Sequence, residues 1–136
     1  MTPHKGLQDT PVLIDTNIWV EHFRHENKHV SALLDSGRVV IHPLIVAELA
    51  LGGLRNREMT LASLETLAEL PVAELQEVRQ LIEIQKLYTA GIGLVDAHLI
   101  ASLIIVQTST GLWTEDEGLA RVAGKLGFLV SPPFAH

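Results

Sequence analysis

The chain contains no cysteine. Disulfide staples and thiolate metal sites are therefore ruled out, and the composition suits a reducing cytoplasm. Long apolar runs are missing as well. The stretch from Met1 to Pro11 is polar and has no segment of signal-peptide type. The most apolar stretch, residues 92–106, is interrupted by Asp96 and His98, so it reads as a buried helix and not as a membrane span. Basic residues are scarce: ten Lys and Arg stand against sixteen Asp and Glu, a formal charge of −6. That balance argues against a protein that coats nucleic acid through broad phosphate contact, a task that calls for a basic surface. If nucleic acid is bound, cations or a basic partner must neutralise the local charge. Only two tryptophans are present, and Trp19 and Trp113 both read as core.

What is present is one domain's worth of chain, 136 residues, 47% hydrophobic and 19% charged, enough to bury a core. Short apolar runs alternate with longer helical ones, which predicts an α/β domain around a mainly parallel sheet. Pro11-Val12-Leu13-Ile14 reads as a strand covered on both faces. Helices are expected from Thr16 or Asn17 to about Arg24 and over residues 28–36, with Val39-Val40-Ile41 as a second strand. Pro43 fits the first turn of a third helix, where its missing N–H is no loss, and Gly52-Gly53 stops it. Further helices are predicted over residues 59–70, 73–90, 95–107 and 116–126. Leu112-Trp113-Thr114 and Phe128-Leu129-Val130 read as the last strands. No repeat, low-complexity tract or linker interrupts the chain.

Four acids occupy unusual positions in this pattern. Asp15 directly follows the first strand, at the edge where open parallel sheets bind ligands; a helix cap is the structural alternative. Glu48 has Leu44, Ile45, Leu51 and Gly52 as helical neighbours, so it is expected on an apolar face, where it needs a partner. Arg55 and Arg57 are the nearest candidates for an ion pair. Asp96 sits among Leu99, Ile100 and Leu103 in the first turn of its helix, where the dipole favours an anion. Asp116 lies at another strand-to-helix junction, flanked by Glu115 and Glu117. Two strand-end aspartates and two acids on apolar faces call for one common counter-charge. Hard divalent cations such as Mg²⁺ and Mn²⁺ take oxygen ligands and leave water positions for substrate phosphate. Such a site can activate water against a phosphodiester.

The segments around these acids resemble the motifs of PIN domains, especially those of VapC-type toxins. Leu13-Ile14-Asp15-Thr16-Asn17-Ile18-Trp19 is similar to the opening strand and turn. Pro43-Leu44-Ile45-Val46-Ala47-Glu48-Leu49 resembles the second acidic motif, Gly93-Leu94-Val95-Asp96-Ala97-His98-Leu99-Ile100-Ala101 the third, and Leu112-Trp113-Thr114-Glu115-Asp116 the fourth. The likeness runs from about residue 11 to 131, leaving residues 1–10 as a flexible N-terminus and 132–136 as a tail. It implies a three-layer αβα fold and Mg²⁺- or Mn²⁺-dependent endoribonuclease activity. A VapB-type antitoxin partner and a homodimer are implied with it. Carried over by motif, Asp15, Glu48, Asp96 and Asp116 are the metal-site and catalytic acids. Thr16 or Asn17 supports Asp15, and Thr114 does the same near Asp116. One departure stands out: the family often has another acid two residues after the fourth, where this chain has Gly118, followed by Leu119.

Competing readings are weaker on the residues. His22, His25 and His29 share a helical spacing that could bind a transition metal, but nothing completes the set. Phosphatases of the haloacid-dehalogenase type need a second Asp where Asn17 stands, and receiver domains need a lysine on a late strand. A catalytically silent PIN-like domain that binds RNA or a partner is the remaining alternative.

Overall fold

The computed structural model describes residues 10–106 and 108–134. Its centre is a sheet of four parallel strands: β1 (Val12–Ile14), β2 (Val39–Ile41), β3 (Ala68–Glu69) and β4 (Gly111–Trp113), in the order β3-β2-β1-β4. The helices are α1 (Thr16–Arg24), α2 (Lys28–Asp35), α3 (Pro43–Ala50), α4 (Arg57–Leu64), α5 (Leu75–Ile84), α6 (Leu94–Ile105) and α7 (Glu117–Leu126), with a 3₁₀ turn at Leu87–Thr89. They cover both faces of the sheet, giving the three-layer αβα arrangement expected from the alternating pattern.

All three residues of β1 are buried, as are all three of β4, so the central pair reads as continuous apolar sequence. The register pairs Val12 with both Val39 and Gly111, and Ile14 with Trp113. Successive crossovers from β1 to β2 to β3 move one way across the sheet. The connection from β3 to β4 doubles back past both. With right-handed crossovers, helices α1 to α4 lie on one face and α5 and α6 on the other. The reversal falls between β1 and β4. In open α/β sheets that switch point leaves a crevice at the carboxyl ends of the strands, and Asp15 and Thr114 occupy those ends.

Helix boundaries follow local chemistry. Asn27 caps α2 by accepting from the N–H groups of His29 and Val30, and Glu74 and Glu77 form a capping box on α5. Gly127, at φ 85°, closes α7 in the left-handed conformation. Trp19 and Trp113 are 2% and 5% exposed, core residues as their sequence context suggested.

Three elements differ from the expected pattern. The helix anticipated over residues 59–70 is Arg57–Leu64 only; the chain then turns at Ser63–Thr66, and Ala68–Glu69 pairs with β2 as an edge strand. The Leu70 N–H donates to the Ile41 carbonyl, drawing the chain onto the sheet before Pro71. The helix anticipated over residues 73–90 ends at Ile84, because Lys86 turns left-handed at φ 53° and starts the 3₁₀ turn. Residues 128–130 form an isolated bridge from Leu129 to Leu112 instead of a strand. Two backbone bonds, Leu112 N–H to Phe128 O and Val130 N–H to Leu112 O, hold it; Pro132 and Pro133 beyond it have no N–H to extend a ladder. The expectations for the N-terminus and the helix end at Gln107 fall on residues 1–9 and 107, outside the described residues.

Candidate active site

The site forms around the junction of β1 and β4. The Asp15 N–H donates to the Trp113 carbonyl at 3.0 Å, so the two strands fix the backbone of Asp15. Its side chain is then held on both oxygens. Oδ1 accepts from the Thr16 N–H at 2.8 Å, which makes Asp15 the N-cap of α1, and Oδ2 accepts from the Thr114 hydroxyl at 2.7 Å. Asp15 is 7% exposed and Thr114 8%. The cap and the candidate ligand, alternatives in the sequence, are one residue in the fold. Thr114 Oγ1 also accepts from the Asp116 N–H at 3.1 Å, tying two of the acids through one hydroxyl. Asp116 in turn caps α7, its Oδ1 accepting from the Leu119 N–H at 3.3 Å.

Glu48 arrives from α3. The sequence placed it on an apolar face; the structure corrects this, for Glu48 is exposed and its helical neighbour Leu51 is 89% exposed, while Ile45 and Leu49 carry the buried side. The buried stripe of α3 runs through Ile45 and Leu49, and Glu48 lies off it. The partner of Glu48 is no arginine: the Thr16 hydroxyl donates to Glu48 Oε1 at 2.6 Å. Arg57 instead donates to the carbonyls of Ala50 and Gly52, capping the end of α3. Of the two residues put forward to support Asp15, Thr16 therefore links it to Glu48, whereas Asn17 is exposed and makes no hydrogen bond to the acids.

Asp96 completes the set from the first turn of α6, half-buried above Leu99, Ile100 and Leu103. Its carboxyl is pushed up to about 6, first by burial, then by the charges of Asp15 and Asp116 and, more weakly, Glu48, against a hydrogen bond from the Gly93 backbone that favours the anion. The four acids thus share one electrostatic field although they come from four different elements. None of the four acids forms an ion pair with a cation among the described residues; the exposed Arg79–Glu83 pair lies elsewhere. Nor do any three carboxylate or imidazole side chains among the described residues form a ready-made cage. Charges act over longer distances than coordination bonds do. An all-oxygen, open, unpaired set is the chemistry that suits a hard cation retaining its waters.

The alternative zinc site does not assemble: His22 Nδ1 accepts from the Asn27 N–H, and no metal-binding group including His25 or His29 exists among the described residues.

Two features go beyond what the sequence showed: a buried histidine, and the packing around Gly118. His42 is fully buried; Nδ1 accepts from the Leu44 N–H at 3.0 Å and Nε2 lies 3.0 Å from Ser102 Oγ. Because Nδ1 accepts, the neutral ring carries its proton on Nε2 and donates to Ser102. Burial, then the nearby His98, lowers its pKa to about 4. This pair bolts α3, which carries Glu48, to α6, which carries Asp96. A histidine directly before a helix-opening proline sits at the cap position, and that was its only signal in the sequence. The second feature is Gly118. A Cβ there would stand 2.6 Å from the Ala90 carbonyl oxygen and 3.3 Å from an Ile92 methyl. A side chain here would require the Ala90 backbone to shift, which opposes the further acid that the resemblance led one to expect.

Comparison with known proteins agrees with the architecture. The PIN domain model matches residues 12–125. The chain is 35% identical over 116 residues to a protein named Ribonuclease VapC32 from Mycobacterium tuberculosis strain CDC 1551 / Oshkosh, covering 85% of this chain and 93% of the relative. It matches the protein of the same name from strain ATCC 25618 / H37Rv to the same extent. With the motifs in order, the parallel sheet and the switch-point acids in place, the chain belongs to the PIN-domain family and is of the VapC type.

Proposed function

We propose that this protein is an endoribonuclease dependent on Mg²⁺ or Mn²⁺, acting as the toxin of a VapBC-type pair. The observation that carries this reading is the convergence of Asp15, Glu48, Asp96 and Asp116 at the switch point, with no ion pair to balance them among the described residues. The name of the VapC32 relatives supports ribonuclease chemistry.

Each side chain has a defined task in this reading. Asp15, Glu48, Asp96 and Asp116 are the residues that would hold the ion and orient water towards the phosphodiester. A divalent ion bound there supplies charge neutralisation for the substrate phosphate and lowers the pKa of a ligating water. The Thr114 hydroxyl fixes the Asp15 rotamer, which keeps the geometry within the tolerance that a catalytic set needs. Thr16 holds Glu48 in the same way. Without a cation the four acids would repel the substrate phosphate.

The partner and assembly follow from the same kinship: a VapB-type antitoxin, an RNA substrate and a homodimer. Exposed Ile84, Tyr88 and Leu94 offer apolar surface for such contacts. No helix among the described residues is long and apolar enough to cross a membrane, and a cytoplasmic site of action is proposed with the rest.

The experiment is cleavage of a labelled total-RNA pool with Mg²⁺ or Mn²⁺, comparing the wild type with Asp15→Asn and Asp96→Asn. Discrete products that need the metal, vanish with chelator and are lost in both variants support the reading. Equal patterns from all three proteins, with metal binding verified by titration, replace it with a silent PIN-like binding domain.

A further inference from the structure

A second feature opens directly off the acids. Between the end of α1, the end of α3 and the loop before α4 lies a cavity of about 770 Å³, within the roughly 300–1,000 Å³ range of ligand pockets. Glu48 forms part of its wall, so it is continuous with the candidate active site. Val20, Phe23, Leu49 and Leu54 give it an apolar floor, and Arg24, His25, Arg55 and Asn56 stand around its rim.

The charge distribution of the cavity differs from that of the molecule. The chain carries a formal charge of −6 with only ten Lys and Arg, yet Arg24, Arg55 and His25 face a single acid, Glu48, in this lining. Arg24 and Arg55 are exposed and form no ion pair among the described residues. Arg24 has a structural account, since a cation at the last turn of α1 complements the helix dipole. Arg55 has none: it sits in a turn, bonded through its backbone carbonyl to the Thr60 hydroxyl, and its guanidinium is left to solvent. The neighbouring Arg57 is different. Its guanidinium is committed to the Ala50 and Gly52 carbonyls and shapes the loop that presents Arg55.

We infer that this groove is the track for single-stranded RNA beside the scissile phosphate, with Arg24 and Arg55 holding flanking phosphates and the Phe23 wall accommodating a base. Its physical basis is complementarity. A polyanion repelled by the acids needs fixed cations beside them, and the groove that Glu48 lines supplies two, Arg24 and Arg55, that form no ion pair among the described residues. Phe23 is half-buried against Trp19, at 5.8 Å between ring centres, so it offers an edge for a base without needing to reorganise. This inference rests on the nuclease reading and adds a recognition surface to it.

The test separates groove from reacting centre. Binding is measured by fluorescence anisotropy of a fluorescein-labelled, mixed-sequence single-stranded RNA to the Asp96→Asn protein, over a range of salt, with and without Arg24→Ala and Arg55→Ala. Each substitution is expected to weaken binding roughly three- to tenfold at low salt. Each should also reduce the salt slope by about 0.7, the value of one lost phosphate contact on a single strand; Arg55→Lys should restore the slope. In the active protein, hydrolysis of bis(para-nitrophenyl) phosphate, which has no flanking nucleotides, should be unchanged by either substitution, while KM for RNA rises. RNA affinity and slope that ignore both arginines overturn the proposal, whether or not the small diester is cleaved. If co-expressed antitoxin binding is lost in their place, the groove is a protein-docking surface and the proposal falls. A wild type that hydrolyses neither substrate sinks the nuclease reading instead, and the anisotropy arm still decides the groove.

Discussion

Replacing Asp96 with asparagine should make the metal-free protein more stable, even though it removes a candidate active-site group. Its carboxyl titrates near 6 in the fold against an ordinary 3.8. A carboxyl with a raised folded pKa binds more protons folded than unfolded between the two values. Its contribution is therefore fully present below about pH 4 and is lost as pH rises through about 6. At pH 7.5 the charged form is held at a cost. About two pKa units correspond to roughly 3 kcal/mol at most, and because Asp96 is only half-buried, solvent screening reduces this to about 1–1.5 kcal/mol. Asparagine keeps an acceptor for the Gly93 N–H and removes the charge. For a domain of this size the melting temperature should rise by about 3–6 °C. The assay is thermal unfolding in EDTA at several pH values from 4.5 to 7.5, as ~1-unit steps on the linkage curve. The gain should shrink below about pH 5, where the wild-type carboxyl is protonated, and Mg²⁺ should raise the wild-type melt more than the mutant's. A variant that melts lower than wild type at pH 7.5, or a difference independent of pH, refutes the electrostatic account of this site.

Other outcomes follow from single contacts. Thr114→Val keeps the shape but removes both the bond to Asp15 and the acceptor for the Asp116 N–H; RNA cleavage should fall roughly 10- to 100-fold with metal affinity, and urea unfolding should show a loss of about 1–3 kcal/mol. Gly118→Ala should destabilise by about 1–3 kcal/mol despite alanine's better helix propensity, because the Ala90 carbonyl has to move; an unchanged urea midpoint would show that this close approach relaxes freely. Ser102→Ala leaves the buried His42 Nε2–H unpaired and should cost about 1–3 kcal/mol with the denaturant slope unchanged. His42 carries the opposite linkage to Asp96. Its folded pKa lies below the unfolded one, so its contribution is present above about pH 6.5 and is lost as pH falls towards about 4. In Asp96→Asn, which lacks the compensating carboxyl, stability should decline more steeply over that window than in wild type.

The fold was legible where one local rule dominated. The buried strand before Asp15 and the proline that opens α3 each announce themselves in a few residues. Less visible were elements decided by contacts distant in sequence. Ala68–Glu69 has little strand character of its own and becomes β3 because Leu70 docks on Ile41. Residues 128–130 have the apolar run of a strand but meet β4 at one point. The acids of the site could be read because their positions conflict with burial or sit at strand ends. Glu48 was singled out for lying on an apolar face, and the structure shows that face exposed, with the Thr16 hydroxyl as its partner. His42 and Ser102 lie sixty residues apart, and no periodicity connects them. The consequence of Gly118 likewise depended on the Ala90 carbonyl, a neighbour that spacing does not reveal.

Asp15 and Asp116 each start a helix with the carboxyl that the site uses. At an N-cap, asparagine serves about as well as aspartate. The amide satisfies the same backbone N–H groups and lacks the charge. Under the proposed reading the architecture therefore offers no protection against silencing: one conservative exchange at either position is expected to yield a protein that folds, displays its surfaces and does no chemistry. The reverse exchange is equally short. Under that reading, activity could be switched off and regained without rebuilding the fold.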